Sequence, residues 1–318
     1  MQFLFGIELG LALMLSTFFS IIYIWNGGFS AIVRTDIFQF ILMFAGFFLF
    51  LLFLWIKIDN PITMLNKLPN KYLDPLGGNS FQYVLVWFFI AAWTFIDPGF
   101  YQRCAAADSP TTARNGILYA IIFWAVFDFI TIFCGLYAIG NLQINQATLV
   151  FPSLAINILP LGIFGIFITG ILATIMSTID SLSLVSAISF GRDILWRIQN
   201  KEKNPILFIK KGLIIISILS MLLSYLMPSI VQLLYTTGSI LIPGLILPFL
   251  ITLGKKRKIF DNKQAERWMV WPIIISIIWF TISKLSGSPL FDIEPFYPGM
   301  LVSFIYFFIY RLKENHGS

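Results

Sequence analysis

The sequence predicts an all-α fold: a polytopic membrane helix bundle of about nine transmembrane helices. Three observations carry that prediction. The composition is 58% hydrophobic and 11% charged, with a mean hydropathy of +0.87, whereas soluble globular chains carry about a quarter charged residues. Apolar runs of about 17–25 residues, the length that crosses a bilayer core, recur along the chain. The basic residues collect in alternate linkers between those runs. The lipid bilayer is thus the first partner that the sequence implies.

The first run, 3–25, holds one acid, Glu8, and stops at Asn26-Gly27-Gly28. The second, 36–56, opens on Asp36 and is closed by Asp59-Asn60-Pro61. After Gly77-Gly78-Asn79 comes 81–97, which ends in Asp97-Pro98-Gly99. The fourth and fifth runs, 114–139 and 160–190, enclose Asp128 and Asp180, and Asn204-Pro205 precedes the sixth, 207–227. Only Met227-Pro228-Ser229 separates the sixth from the seventh, 233–253. The last two, 268–284 and 297–311, flank Ser286-Gly287-Ser288-Pro289. Glycine, proline and asparagine at each junction are the residues that punctuate helices.

The charges orient the bundle. One set of linkers holds Arg34; Arg103 and Arg114; Arg192, Arg197, Lys201, Lys203, Lys210 and Lys211; Lys255, Lys256, Arg257, Lys258, Lys263 and Arg267; and Arg311 and Lys313, which is 17 of 21 basic residues. The other holds Lys57, Lys67, Lys71 and Lys284. The positive-inside rule places the larger set in the cytoplasm. The expected protein is multi-pass in the cell (cytoplasmic) membrane, with its N-terminus outside and its C-terminus cytoplasmic.

Several function classes are disfavoured. The only histidine, His316, lies in the C-terminal tail, and no Ser/His/Asp constellation is readable, so an enzyme is not expected. Cys104 and Cys134 form no recognisable disulfide framework. The net charge of +6 comes from basic residues that border apolar runs, so orientation explains it and nucleic acid is not an expected partner. No glycine-rich phosphate-binding loop is present, and hydrolytic energy is not implied.

Polar residues inside apolar runs carry the functional signal, because an unpartnered polar group in hydrocarbon costs several kcal/mol. Within Gly170–Ser181, Thr174, Ser177, Thr178 and Ser181 recur at i, i+3, i+4 and i+7 and share one helical face. Their oxygens suit a hard cation; the plainer reading is back-bonding to carbonyls one turn earlier. Asp180 lies about 60° round the helix from Ser177, where it either joins that site or pairs with another helix. Asp36, with Gln39 one turn deeper, is either a dipole-favoured helix start or a cation waypoint. Asp97-Pro98-Gly99 is either a loop at the membrane surface or a break near mid-membrane that exposes backbone groups to a cavity. In the second reading Trp93, Thr94 and Asp97 face a substrate. Glu8 and Asp128 are further intramembrane acids, either functional or paired within the bundle.

Three segments together resemble the sodium:solute symporter family. Gly27-Gly28-Phe29-Ser30-Ala31-Ile32-Val33-Arg34-Thr35-Asp36-Ile37-Phe38-Gln39 is similar to a family segment with paired glycines and a Thr-Asp-x-x-Gln ending. Asp97-Pro98-Gly99-Phe100-Tyr101-Gln102-Arg103-Cys104-Ala105 resembles the exit of the family's broken helix. Ala173-Thr174-Ile175-Met176-Ser177-Thr178-Ile179-Asp180-Ser181 is similar to its sodium-binding helix.

The resemblance implies a leucine-transporter-type fold of two inverted repeats, with Na+ as the coupling ion and no organic cofactor. It implies sodium binding by the Ser177 and Thr178 hydroxyls and the Thr174 carbonyl. It places Asp36 on the ion pathway, with Gln39, Asp180 and Ser181 beside it, and Trp93, Thr94 and Asp97 at the substrate. The expected organisation is a single membrane domain, 1–318: residues 1–57 form the remnant of an incomplete first repeat, 81–253 form the second repeat, and 268–311 form two additional spans. Family members have about four more spans before the point where Met1 falls. A missing N-terminal half is therefore an expected partner, and this chain alone is expected to transport nothing.

The expected function is sodium-coupled symport of a small polar organic solute, as part of a longer transporter. Asp97-Pro98 stands where sugar-transporting relatives tend to have an amide pair, which argues against a sugar. Two alternatives stay open: a non-transporting sensory or partner-binding remnant, and a proton-coupled transporter of the same fold with Asp128 or Asp180 as carrier.

Overall fold

A computed structural model describes residues 6–141, 147–199, 204–227, 229–253 and 262–316. In chain order its helices are α1 (Leu9–Lys57), α2 (Pro61–Lys67), α3 (Phe81–Ala91), α4 (Pro98–Ala105), α5 (Pro110–Asn141), α6 (Val150–Ile158), α7 (Leu161–Ile188), α8 (Pro205–Leu226), α9 (Ile230–Thr252), α10 (Asn262–Ser286) and α11 (Phe296–His316). A π-helical stretch, Ser189–Trp196, and a last turn, Arg197–Gln199, continue α7. Arg192 and Arg197, expected in a linker, are therefore helical. Lys201, Lys203, Lys255, Lys256, Arg257 and Lys258 lie outside the described residues, as does Pro228.

Seven helical segments among the described residues are long and apolar enough to cross a membrane. The difference from nine has two sources. The first two expected spans are joined through Gly28 and counted as one stretch, α1, and the apolar part of α11, Phe296–Tyr310, is shorter than a full span.

Gly28 breaks α1, with φ 53° and ψ −141°, a conformation that a side chain disfavours. In a straight helix Tyr23 and Asp36 would lie about 20 Å apart. Instead Tyr23 bonds Asp180, while Arg103 joins Asp36 to Ser181, the next residue along α7. Ile24 and Ile32 likewise pack into one cluster with Leu184, Ala187 and Leu213. The chain folds back at Gly28, so α1 contains the two expected spans side by side.

The remaining helix starts follow capping chemistry. Asn60 accepts from the Thr63 amide at 3.0 Å ahead of Pro61, and Ser109 accepts from the Thr112 amide at 3.1 Å ahead of Pro110. Ser80 and Ser229 cap α3 and α9 in the same way. The Pro110 start lengthens the fourth span by one turn over the expected 114–139.

The described helices divide into two compact units. One comprises residues 1–73 and 101–226, the other residues 74–100 and 227–318, and the division runs through α4.

In the first unit, α1 and α7 pack closely along small residues. A Cβ on Gly170 would lie 2.8 Å from the Leu42 carbonyl oxygen, and one on Gly46 would lie 3.2 Å from the Phe167 Cα. Close backbone approach through glycine is the membrane solution where no hydrophobic effect drives helices together. The core beside them is aromatic. Phe50 and Phe167 are fully buried with centroids 4.3 Å apart, and Phe47 meets Phe127, Phe151 and Phe167 edge-on. The buried Tyr137 donates to the Asp59 carbonyl at 2.8 Å, closing that core at one end.

In the second unit Val86 of α3, Ile242 and Ile246 of α9, and Phe296 and Met300 of α11 form the core. Gly238 lets α9 pass the Ile90 side chain. Trp268 Nε1 donates to Ser303 Oγ at 3.1 Å, and Tyr297 donates to the Gln82 carbonyl at 2.7 Å.

Candidate functional site

The hydroxyl face of α7 is built from its own backbone. Thr174 Oγ1 donates to the Gly170 carbonyl at 2.9 Å. Ser177 and Thr178 both donate to the Thr174 carbonyl, at 3.2 and 3.1 Å. Back-bonding occupies the single proton of each hydroxyl and leaves its lone pairs outward. The two readings of these residues are therefore compatible, since the bonds that satisfy the hydroxyls also aim their oxygens. Thr178 further lines a cavity of about 230 Å³ with Ser16, Thr17, Ser183, Ser220 and Ser224.

Two acids flank that face. Asp180 is fully buried, accepts a hydrogen bond from Tyr23, and neighbours Ser20. Its Oδ1 and the Ser20 hydroxyl have no other hydrogen-bond partner among the described residues. Asp36 faces Arg103, whose Nη2 lies 3.4 Å from Asp36 Oδ2 and 2.8 Å from Ser181 Oγ. Gln39 is buried on α1, and its Oε1 and the second oxygen of Asp36 lack partners. Thr174, Ser177, Thr178, Asp180, Ser181, Asp36 and Gln39 thus all belong to the first unit, on the packed α1–α7 pair.

The donor set fits a hard cation. It consists of hydroxyl, carbonyl, amide and carboxylate oxygens, the ligand type that such ions take. Asp36 Oδ1, Gln39 Oε1 and Asp180 Oδ1, on the same helix pair, are further buried acceptors with no hydrogen-bond partner among the described residues. Among the described residues, no group of three or more His, Cys, Asp or Glu side chains could hold a metal ion instead.

Trp93, Thr94 and Asp97 occupy the second unit. The helix breaks there: α3 gives way to a 3₁₀ turn, Ala92–Phe95, before α4 begins at Pro98. Asp97 Oδ1 accepts from the Gly99 amide at 2.6 Å and so caps α4, with Pro98 at the first helical position. Trp93 packs against the core of its unit, while Thr94 is exposed. A helix break is present at Asp97-Pro98-Gly99, and its acid holds the new helix start. Glu8 and Asp128 are exposed.

From sequence, Arg103 is only an orienting charge, and Tyr23 and Ser20 carry no signal. Arg103 stands inside the quoted Gln-Arg motif, so a lone basic residue near intramembrane acids was an available signal. Tyr23 and Ser20 had none, because their contact spans 157 residues of chain for Tyr23.

The model of the sodium:solute symporter family matches residues 1–258. The chain belongs to the sodium:solute symporter family. A curated member of similar sequence is the sodium/pantothenate symporter of Haemophilus influenzae, 27% identical over 202 residues, which are 59% of this chain and 41% of that protein. A solved structure of similar fold is the substrate-bound, outward-open state of a Na+-coupled sialic acid symporter. It shows a TM-score of 0.70 at 23% identity, covering 95% of this chain and 66% of that one. This symporter-family chain thus spans about two fifths to two thirds of the length of these relatives.

Proposed function

We propose that these 318 residues supply the cation-binding helix of a sodium-coupled symporter for a small polar organic solute, within a longer transporter. The observation that carries this reading is the Thr174–Ser181 face, where back-bonded hydroxyls turn their lone pairs away from the helix. Sodium would be held by the Ser177 and Thr178 hydroxyls and the Thr174 carbonyl. Asp36, Gln39, Asp180 and Ser181 would line its route, and Trp93, Thr94 and Asp97 would stand near the solute. When bound, the ion supplies positive charge that stabilises the substrate-competent arrangement. The bundle would lie in the cytoplasmic membrane with its C-terminus inside. Pantothenate and sialic acid, named for the two relatives, are the first solutes to test.

The test is uptake by the intact transporter in proteoliposomes across a sodium series. Ser177→Ala with Thr178→Ala should raise the sodium concentration for half-maximal uptake about tenfold or more, since a hydrogen-bond-like contact is worth about 1 kcal/mol each. Unchanged sodium dependence at unchanged protein level removes the assignment.

A second reading is proton coupling, favoured by the fully buried Asp180 with an unpartnered oxygen. It predicts uptake that follows pH in the absence of sodium and is lost in Asp180→Asn.

A further inference from the structure

The second unit contains a cavity of about 500 Å³ between α9, α10 and the segment that leads into α11, its wall largely apolar with a few polar groups. Tyr235, Thr236 and Gln232 line it from α9, Lys284 from the end of α10, and Glu294 from the following segment. Ser239, 1% exposed, forms its buried end. The hydroxyls of Ser239 and Tyr235 are buried and make no hydrogen bond among the described residues, and the Glu294 carboxylate is a near neighbour of Tyr235.

The cavity's rim is held in place. The Leu290 amide donates to Ser283 Oγ at 3.0 Å, and Trp279 Nε1 donates to the Ile293 carbonyl at 2.9 Å. Phe291 and Asp292 both adopt left-handed conformations, φ 54° and 55°, which side chains disfavour unless the surroundings impose them. Tyr235 stacks on Tyr83 at 4.9 Å and lies 5.4 Å from Trp87, so its ring cannot swing freely into the space. These contacts fix the backbone beside Glu294 and the Tyr235 ring, while the exposed Lys284 side chain stays free to meet a ligand.

We propose that this cavity is a binding site for a small zwitterion bearing a hydroxyl, of the α-amino-acid type. Lys284 receives the carboxylate, Glu294 the ammonium, and the buried Ser239 and Tyr235 hydroxyls the ligand's own hydroxyl. Neither Lys284 nor Glu294 forms an ion pair among the described residues. A simple anion would leave Glu294 uncompensated and repelled, and a simple cation would do the same to Lys284. A neutral polyol would hydrogen-bond both groups but compensate neither charge. A zwitterion compensates both, and charge-assisted hydrogen bonds at each end are the strong ones. The site is independent of the hydroxyl face on α7 and needs no sodium.

Equilibrium dialysis with radiolabelled L-serine, on the full chain in nanodiscs without sodium, tests the proposal. L-lactate and ethanolamine serve as competitors, because each keeps the hydroxyl and loses one charge. Saturable serine binding is expected, with both competitors about tenfold weaker or worse. Lys284→Gln and Glu294→Gln should each weaken serine about tenfold, and Ser239→Ala severalfold, with melting profiles unchanged. Absence of saturable serine binding overturns the site. Lactate or ethanolamine binding as well as serine does, or serine binding indifferent to both charge substitutions, overturns the zwitterion assignment. Loss of sodium-dependent uptake would leave each of these outcomes unaltered, so this site and the sodium site fail separately.

Discussion

Arg103 holds its guanidinium 2.8 Å from Ser181 Oγ and 3.4 Å from Asp36 Oδ2, and so ties the last turn of α4 to both α1 and α7. Ser181 is one turn beyond Ser177 and Thr178 on the same helix. In the sodium route proposed above, a fixed positive charge therefore occupies two of the oxygens assigned to the ion.

That competition has a sign. Arg103→Gln frees Asp36 and Ser181 and should lower the sodium concentration for half-maximal uptake severalfold, while Asp36→Asn should raise it. A sodium titration of uptake by the intact transporter measures both. If Arg103→Gln raises the sodium requirement instead, Arg103 positions Ser181 and does not compete.

The half-buried Tyr23 and the fully buried Asp180 are joined by a hydrogen bond. Tyr23→Phe removes the one hydrogen bond that the carboxyl receives from a phenol and should cost about 1–3 kcal/mol, the penalty of a buried group left unpartnered. Tyr23→Phe with Asp180→Leu should cost less than the sum of the single changes. Thermal melts of the purified protein in detergent form the cycle, and strict additivity would show that the pair is not coupled.

The α1–α7 and α7–α8 contacts leave no room for a methyl group. A Cβ on Gly170 would meet the Leu42 carbonyl oxygen at 2.8 Å, and one on Gly212 would meet the Ala187 carbonyl oxygen at 2.7 Å. Backbone cannot yield as a side-chain tip does, so alanine at either position should destabilise by about 1–3 kcal/mol. Gly162→Ala, on α7 with nothing within 4 Å of its Cβ, should be neutral or slightly stabilising. Equal melting temperatures for all three variants would contradict the packing.

The charge alternation predicts sidedness. In a background lacking Cys104 and Cys134, Lys71→Cys should react with a membrane-impermeant maleimide added outside intact cells. Lys313→Cys should react only after permeabilisation. The reverse pattern would invert the bundle.

Much of the architecture was legible before any coordinates, because the bilayer imposes it locally. Apolar length, helix-breaking residues and capping serines act within a few positions of each other, so the spans, the break at Asp97-Pro98-Gly99 and the fold-back at Asn26-Gly27-Gly28 leave marks in the sequence. The shared face of Thr174, Ser177, Thr178 and Ser181 is equally local, a consequence of 3.6 residues per turn.

What tertiary structure decided is which residue partners which. Asp180 finds its hydrogen-bond donor in Tyr23, 157 residues away. Asp97 proved to cap a helix, and Trp93 to pack in a core. Arg103, helical in α4, neighbours Asp36 and Ser181, and Lys284, Glu294 and Ser239 line one cavity. Such pairings depend on helix rotation and on close backbone approach at glycines. Both are settled by the summed packing of the bundle, and no short stretch of sequence encodes them.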